Sequence, residues 1–239
     1  MRTRPYGESD KIVTFLSHDF GKLTGIAKGA KNSRRRFANC LDPLTRVRVH
    51  FRSRIGATLV FMDLCDLLVP ARALAEPKKL AYGSYLLELV DQLTEEAHPV
   101  PEIYRLLVDG VEELGVGPAT AAFLRVFELQ LLGHAGYDPQ LTQCASCQRS
   151  LDAAEAVYYD ALQSSFLCET CRAGRPSLIE FRGATLQALT QMKTQSVHAA
   201  RTHRFSPTVA HEAAQLLGYL MAPHLPRPLR SVKLIAALA

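Results

Sequence analysis

The sequence predicts a multi-domain α+β protein. A small β-domain over residues 1–74 precedes a helical domain over residues 75–239, and a four-cysteine module over residues 140–176 is inserted into the helical domain. Three observations predict this class: several short strand-like segments in the first domain, one of them with strict alternation, apolar residues at helical spacing from Pro77 onward, and two Cys-x-x-Cys pairs within the helical part.

Strand character marks most of the first domain. Residues 11–17 and 22–28 have the composition of two strands and are joined across His18-Asp-Phe-Gly21, which predicts a hairpin. Further strands are expected over residues 46–52 and 57–64, and Pro70 ends the β-portion. Several short strands in so short a stretch are typical of a small closed barrel of the OB type.

Basic side chains dominate this first domain. Residues 1–75 contain 14 Lys and Arg against 6 Asp and Glu, although the whole chain carries a net charge of only +5. Residues 29–37 lack apolar periodicity, carry only positive charges and predict an exposed segment. The strand over residues 46–52 places Val47, Val49 and Phe51 on one face and basic side chains on the other. Such a face is often merely solvated. Like charges this close destabilise a sheet unless a polyanion relieves them, so nucleic acid is the expected partner.

Three aromatic residues of this domain have two possible roles. Tyr6, Phe20 and Phe37 either stack on the bases of a single strand or pack in the core.

From Pro77 onward the apolar period becomes helical. Helices are predicted near residues 77–93, 103–114, 119–134 and 183–193, and a last helix begins at Ser206 with proline at its first position. Its expected buried stripe is Val209, Ala213, Leu216, Leu217, Leu220 and Met221. Residues 76–128 hold ten acids against four bases, so DNA is expected to avoid that surface.

Two cysteine pairs, Cys144 with Cys147 and Cys168 with Cys171, are separated by twenty residues. Each pair can close a tight knuckle, and the four thiolates together complete the tetrahedral shell of a structural zinc ion. Two disulfides or a dithiol redox motif are the alternatives, but no signal peptide is recognised and reduced thiols are expected in a cytoplasmic protein. Residues 156–160 and 164–167 are expected to form a hairpin between the knuckles.

Catalysis is not expected from these features. A four-thiolate shell leaves no open position for water or substrate. The chain lacks a P-loop motif, and no apolar run reaches the roughly 18 residues that a membrane span needs. The sequence therefore predicts a soluble, non-enzymatic protein with one structural zinc ion.

Several segments resemble the bacterial RecO recombination mediators. They are RPYGESD at residues 4–10, FGKLTG at 20–25, AKGAK at 27–31, RRF at 35–37, LDPL at 41–44, the four cysteines, and LRSVKL at 229–234. The likeness covers nearly the whole chain. Members of this family usually have more residues in the first strand, so a short first strand is expected here.

The resemblance implies an N-terminal OB fold, a helical C-terminal domain and a zinc module. It also implies binding to single- and double-stranded DNA, annealing of complementary strands, partnership with RecR, and help in loading RecA onto DNA coated by single-strand binding protein, in the cytoplasm and at the nucleoid. The residues expected to contact phosphates are Lys22, Lys28, Lys31, Arg34, Arg35, Arg36, Arg46, Arg48 and Arg52. A zinc-containing OB-fold protein that binds RNA or has a regulatory role is the alternative.

The basic C-terminal part of the chain indicates a second partner. From Arg172 to the end there are nine Lys and Arg and two Glu. In families of this kind the single-strand binding protein offers an acidic tail with an apolar end, which needs an apolar groove rimmed by arginine. The residues expected to supply it are Arg125, Arg201, Arg204, Leu217, Leu220 and Met221, unless these arginines only solvate helix ends.

Overall fold

The computed structural model describes residues 2–53, 59–74 and 76–238, with Arg72 and Ala73 described by their backbone alone. The strands are β1 (Arg2–Tyr6), β2 (Asp10–Ser17), β3 (Gly21–Ala27), β4 (Arg46–Arg52), β5 (Val60–Val69), β6 (Ala156–Asp160), β7 (Ser165–Leu167) and β8 (Ile179–Arg182). The helices are α1 (Pro77–Leu93), α2 (Pro101–Val116), α3 (Ala121–His134), α4 (Gly183–Lys193), α5 (Val197–Ala200), α6 (Pro207–Met221) and α7 (Ser231–Ala236). They form two compact units, residues 1–118 with 229–239, and residues 119–228.

The first unit contains a five-stranded sheet in the order β1-β2-β3-β5-β4. Its neighbours are antiparallel except β3 and β5, which are parallel. Within the described residues β1 and β4 remain at the two edges, so the sheet is not closed and the closed barrel predicted from the sequence is wrong. Closure would need β1 to pair with β4, but in the described part of the chain β1 pairs only with β2 and β4 only with β5, and Arg46 of β4 instead pairs with Glu112 of α2 at 2.6 Å.

The strands predicted from the sequence are largely confirmed. The hairpin of residues 11–17 and 22–28 is β2 with β3. The expected short first strand has five residues and pairs with β2 along its whole length. The strand predicted over residues 57–64 is β5, which begins at Val60 and runs five residues beyond the predicted end, whereas residues 57 and 58 lie outside the described part.

The helices α1 and α2 pack with the sheet in this unit, so the compact units do not follow the boundary predicted after residue 74. Proline occupies the first turn of both helices, where the missing N–H costs nothing. The chain after α1 then runs along β3, where Ala97 N donates to the Lys22 carbonyl at 2.8 Å. Gly21 allows this approach, since its φ is +68° and a Cβ there would lie 1.9 Å from the His98 carbonyl oxygen.

Lys22 joins the sheet to the end of α1. Its side chain is buried, and Nζ donates to the main-chain carbonyls of Asp91 and Thr94, each at 2.6 Å. Nζ also lies 3.7 Å from the Asp91 carboxylate, which Arg2 contacts at 3.1 Å. A cation at this position satisfies the last carbonyls of a helix and matches its dipole. The prediction that Lys22 contacts DNA phosphate is therefore wrong, because its ammonium group is enclosed.

The C-terminal helix α7 docks on α1 through one carboxylate. Glu88 accepts hydrogen bonds from the backbone N–H of Arg230 at 2.9 Å and of Ser231 at 2.8 Å, and from the Ser231 hydroxyl at 2.5 Å. These contacts cap the helix start from a neighbouring element. They explain why a segment more than a hundred residues away in sequence belongs to the first unit.

The second unit is built around α3, which is buried on nearly every face. A three-stranded antiparallel sheet in the order β7-β6-β8 lies beside the cysteines, and its large buried side chains are Tyr159, Phe166 and Phe181. The hairpin predicted between the cysteine pairs is confirmed as β6 with β7. Strand β8 was missed and extends this module beyond the predicted end at residue 176. No helix in the described part is long and apolar enough to cross a membrane.

We expect Lys22→Met to lower the free energy of unfolding by about 2–4 kcal/mol, because it leaves two helix carbonyls without a donor and removes one cation from a buried carboxylate. Urea denaturation measures this change. Lys28→Met is the matched control, since Lys28 is exposed and the same substitution should change stability by less than about 0.5 kcal/mol. Equal stability of the two variants would contradict the anchoring role of Lys22.

Candidate nucleic-acid interface and metal centre

Residues 28–36, called the basic loop below, connect the end of β3 to a turn that leads to β4. Five cations in it are exposed, namely Lys28, Lys31, Arg34, Arg35 and Arg36. The structure therefore brings together the loop residues that the sequence predicted as phosphate contacts.

The start of the basic loop is tied to the turn between β1 and β2. Asp10 accepts from the Gly29 N–H at 2.8 Å, the Lys31 N–H donates to the Ser9 carbonyl at 2.9 Å, and Lys31 Nζ donates to the Gly7 carbonyl at 2.8 Å. The hydrogen bond from Gly29, with a second from Ser9, holds the pKa of Asp10 below its ordinary value. Asp10 is therefore a carboxylate at neutral pH and accepts the hydrogen bond from the Gly29 N–H that fixes the start of the loop.

The end of the basic loop is fixed by apolar side chains. Phe37, Cys40 and Leu41 are buried in one cluster with Val13 and Met62 of the sheet. Phe37 therefore packs in the core and is not a stacking platform for bases. Tyr6 and Phe20 are about half exposed.

The three consecutive arginines of the loop differ in their contacts. Arg36 donates to the Lys28 carbonyl at 2.7 Å and lies over the Phe37 ring at 5.2 Å. Arg34 and Arg35 have no carboxylate within ion-pair distance among the described residues. Their donors face solvent, as a phosphate contact requires.

On β4 the predicted alternation is present, with Arg48, His50 and Arg52 exposed and Val47, Val49 and Phe51 half-buried. Two of the predicted contacts are engaged by carboxylates. Arg46 pairs with Glu112, and Arg52 makes a two-pronged contact with Asp63 at 2.8 and 2.9 Å. Arg48 has no such partner in the described part of the chain. The register shift between His50 and Phe51 opposite β5 helps to bring Asp63 beside Arg52.

The four cysteines of the second unit converge, as their spacing predicted. Their sulfur atoms all lie within 4.8 Å of one another, and none of them forms a disulfide. The Cys147 and Cys168 sulfurs are 3.7 Å apart. This separation fits a tetrahedral shell, because metal–sulfur bonds of about 2.3 Å place the sulfurs about 3.8 Å apart. The four residues can therefore hold one metal ion.

Local backbone contacts shape the two knuckles. In the first, the Gln148 N–H donates to the Cys144 carbonyl at 2.9 Å, and Gln148 adopts a positive φ of 60°. In the second, the Cys171 N–H donates to the Cys168 carbonyl at 3.0 Å. The Ala145 N–H then donates to the Phe166 carbonyl at 2.8 Å and joins the first knuckle to β7.

The electrostatics of the cluster favour a cation. Burial raises the pKa of Cys144, but backbone N–H groups of Cys147, Cys168 and Ser146 outweigh it and lower that pKa to about 6. At Cys171 the Ser146 hydroxyl lowers the pKa, whereas the sulfurs of Cys147 and Cys168 raise it to about 11. Four sulfurs this close cannot all be thiolates without a positive charge between them, and a divalent ion supplies that charge.

Two family profiles cover almost the entire chain. The profile described as "Recombination protein O N terminal" matches residues 1–70, and "Recombination protein O C terminal" matches residues 74–233. The chain belongs to the RecO family of DNA repair and recombination proteins. The division between the RecO profiles lies close to the predicted boundary after residue 74, although the compact units place α1 and α2 with the sheet.

Curated relatives carry the same family name. The DNA repair protein RecO of Anaeromyxobacter sp. (strain K) is 34% identical over 96% of this chain and 90% of its own length. Those of Myxococcus xanthus and Geobacter sulfurreducens are 35% and 34% identical, over 97% and 100% of this chain and 92% and 95% of their own lengths.

The peptide groove predicted in the helical part of this RecO family member is not formed by the expected residues. Leu217, Leu220 and Met221 are buried, which confirms them as a core stripe and removes them as edges of an open groove. Arg125 is buried and pairs with Glu128 on α3 at 2.6 Å. The prediction of these four residues as a peptide site is therefore wrong, because the core of the unit uses them.

Arg201 and Arg204 lie close together after α5. Arg204 is exposed and donates to the main-chain carbonyls of Arg201 and His203, at 2.8 and 3.0 Å. These contacts place Arg204 at the end of a short helix, in agreement with the alternative in which it solvates that end. Whether the pair binds a peptide stays a prediction.

Sequence reasoning missed the carboxylates that hold the interface arginines, Asp63 on β5 and Glu112 on α2. For Asp63 a partial signal exists, since a strand was predicted over residues 57–64, directly after the strand that carries Arg52. The bulge at Asp63, between the pairs His50–Leu64 and Phe51–Met62, has no signature in the sequence.

We expect Arg125→Met to destabilise the protein by about 3 kcal/mol, because it leaves the Glu128 carboxylate buried without its cation. Urea denaturation of the single variant and of Arg125→Met with Glu128→Met tests this. Replacing both partners should restore most of the lost stability. Arg204→Met is the exposed control and should change little, and a single Arg125 variant as stable as this control would contradict the structural role.

Proposed function

We propose that the protein is a non-enzymatic mediator that binds single- and double-stranded DNA through the basic loop, together with Arg48. The observation that carries this proposal is the set of five exposed cations on a loop whose two ends are anchored. Membership of the RecO family supports DNA as the polyanion. Phosphate contacts of this kind hold a strand without reading its sequence.

Annealing of complementary strands follows from the same chemistry. Two strands repel each other through their phosphates, and cations bound to the backbone reduce this repulsion while the base edges stay accessible. We infer that the protein brings strands together in this way. In the family context it also acts with RecR to load RecA onto DNA coated by single-strand binding protein, at the nucleoid.

The cofactor that we propose is one zinc ion per chain, held by Cys144, Cys147, Cys168 and Cys171. Four thiolates are the ligands of structural zinc sites, and the separation of the Cys147 and Cys168 sulfurs suits its bond lengths. With all four positions taken by sulfur, the ion stabilises the fold of the knuckles. The part of the chain that brings these residues together is the β6-β7 hairpin.

Changing Arg34, Arg35 and Arg36 together to alanine tests the DNA proposal. We expect weaker binding to every DNA sequence and a salt dependence whose log–log slope is smaller by up to about 2 to 3, since each of the three lost contacts removes about 0.7 to 0.9. Fluorescence anisotropy over a salt series measures both. A variant with Arg149, Arg204 and Arg230 changed to alanine removes the same charge from exposed positions elsewhere. Equal slopes for both variants would move the binding surface away from the loop.

Metal analysis of the purified protein tests the zinc proposal. We expect one equivalent of zinc, lost in Cys147→Ser together with proteolytic resistance of the knuckles. Cys40→Ala is the control, since Cys40 lies in the sheet core, where burial raises the pKa of its thiol. Protein with well under one equivalent of zinc and a disulfide between Cys144 and Cys147 would contradict the proposal.

A further inference from the structure

A polar groove of about 380 Å³ lies beside the basic loop on the sheet of the first unit. Three cations and one carboxylate line it, namely Lys28, Arg36, Arg52 and Asp63, and Phe61 forms part of its apolar wall. The cations come from the two ends of the basic loop and from β4, so residues distant along the chain converge on one space. This arrangement has an excess of positive charge.

Asp63 binds the guanidinium of Arg52 inside the groove. The guanidinium of Arg52 grips both carboxylate oxygens, with Nε 2.9 Å from Oδ2 and Nη2 2.8 Å from Oδ1. This two-pronged geometry is the one in which arginine binds a phosphate. The Arg36 guanidinium lies on the same side, 3.5 Å from the main-chain oxygen of Asp63.

The carboxylate stays charged at neutral pH. Hydrogen bonds from Arg52 hold the pKa of Asp63 below its ordinary value, and the charges of Arg36 and His50 act in the same direction. Both partners are also accessible, since the side chains of Arg52 and Asp63 are 76% and 40% exposed. Exposed ion pairs contribute little to stability, so another anion exchanges with Asp63 easily.

We propose that this groove is a subsite for one backbone phosphate of a DNA strand, and that Asp63 is an internal competitor that holds Arg52 until the phosphate displaces it. The inference rests on the proposed DNA-binding function. A strand that already contacts the basic loop presents its next phosphate at a high local concentration, and it replaces Asp63. An isolated anion lacks this advantage. Asp63 thus makes binding depend on an extended strand.

Removal of the competitor should strengthen binding. We expect Asp63→Asn to bind a fluorescent oligothymidine strand about two- to fivefold more tightly than the unsubstituted protein, because the phosphate no longer competes with a carboxylate for Arg52. Asp109→Asn is the matched control, since Asp109 is an exposed carboxylate on α2 outside the groove and the change in net charge is the same.

Arg52→Ala in both backgrounds shows whether Arg52 is the group released. We expect it to weaken binding slightly in the unsubstituted protein, where the phosphate contact of Arg52 is offset by the loss of its contact with Asp63, and to abolish the whole gain in the Asp63→Asn protein. Equal affinities of Asp63→Asn and Asp109→Asn would overturn the inference, as would a gain that survives Arg52→Ala. If the unsubstituted protein binds no DNA, the proposed function itself fails, which is a distinguishable result.

Discussion

The burial of Phe37, Cys40 and Leu41 against the sheet is the constraint on which the proposed interface depends. Five cations on nine residues repel one another, but at exposed positions each pair interacts by less than about 1 kcal/mol in salt solution. Each large apolar side chain that is fully buried contributes about 1.5–3 kcal/mol. The apolar anchor therefore outweighs the repulsion and keeps the loop in shape without a bound polyanion. A loop ordered in advance loses less entropy when a strand binds.

Some Lys and Arg side chains of this molecule are enclosed and others are accessible, and their tertiary partners decide between the two. Lys22 and Arg125 were both predicted to contact a ligand, yet each is enclosed by groups that need a cation. Arg34 and Arg35 meet no carboxylate in the described residues. Charge composition therefore locates a basic region, whereas only the fold separates cations that stabilise it from cations that a ligand can reach.

Local patterns predicted most of the elements because their signals are local. Strand-like composition predicted β2 and β3, alternation predicted β4, the helical period predicted α1 and α6, and cysteine spacing predicted the cluster of four sulfurs. The predictions of a closed barrel and of a peptide groove were wrong because they depend on which elements pack beside β4 and α6, and the local patterns do not report this. The sequence carries no local trace of Glu112 reaching Arg46, of Glu88 capping α7, or of the bulge near Phe51. Most of these contacts join segments that are distant along the chain, so a pattern within a short stretch of sequence does not predict them.

Because the sheet is open, the basic side chains on its edge strands have a role that does not involve DNA. Its two edge strands expose backbone groups that invite pairing with another chain, and charged side chains or proline at an edge oppose this. Strand β1 carries Arg2, Arg4 and Pro5, and β4 carries Arg48 and Arg52. Basic residues on these edges would therefore be favoured even in a protein that never met a polyanion. The cations of the basic loop lie on neither edge, which makes them the stronger evidence for a nucleic-acid partner.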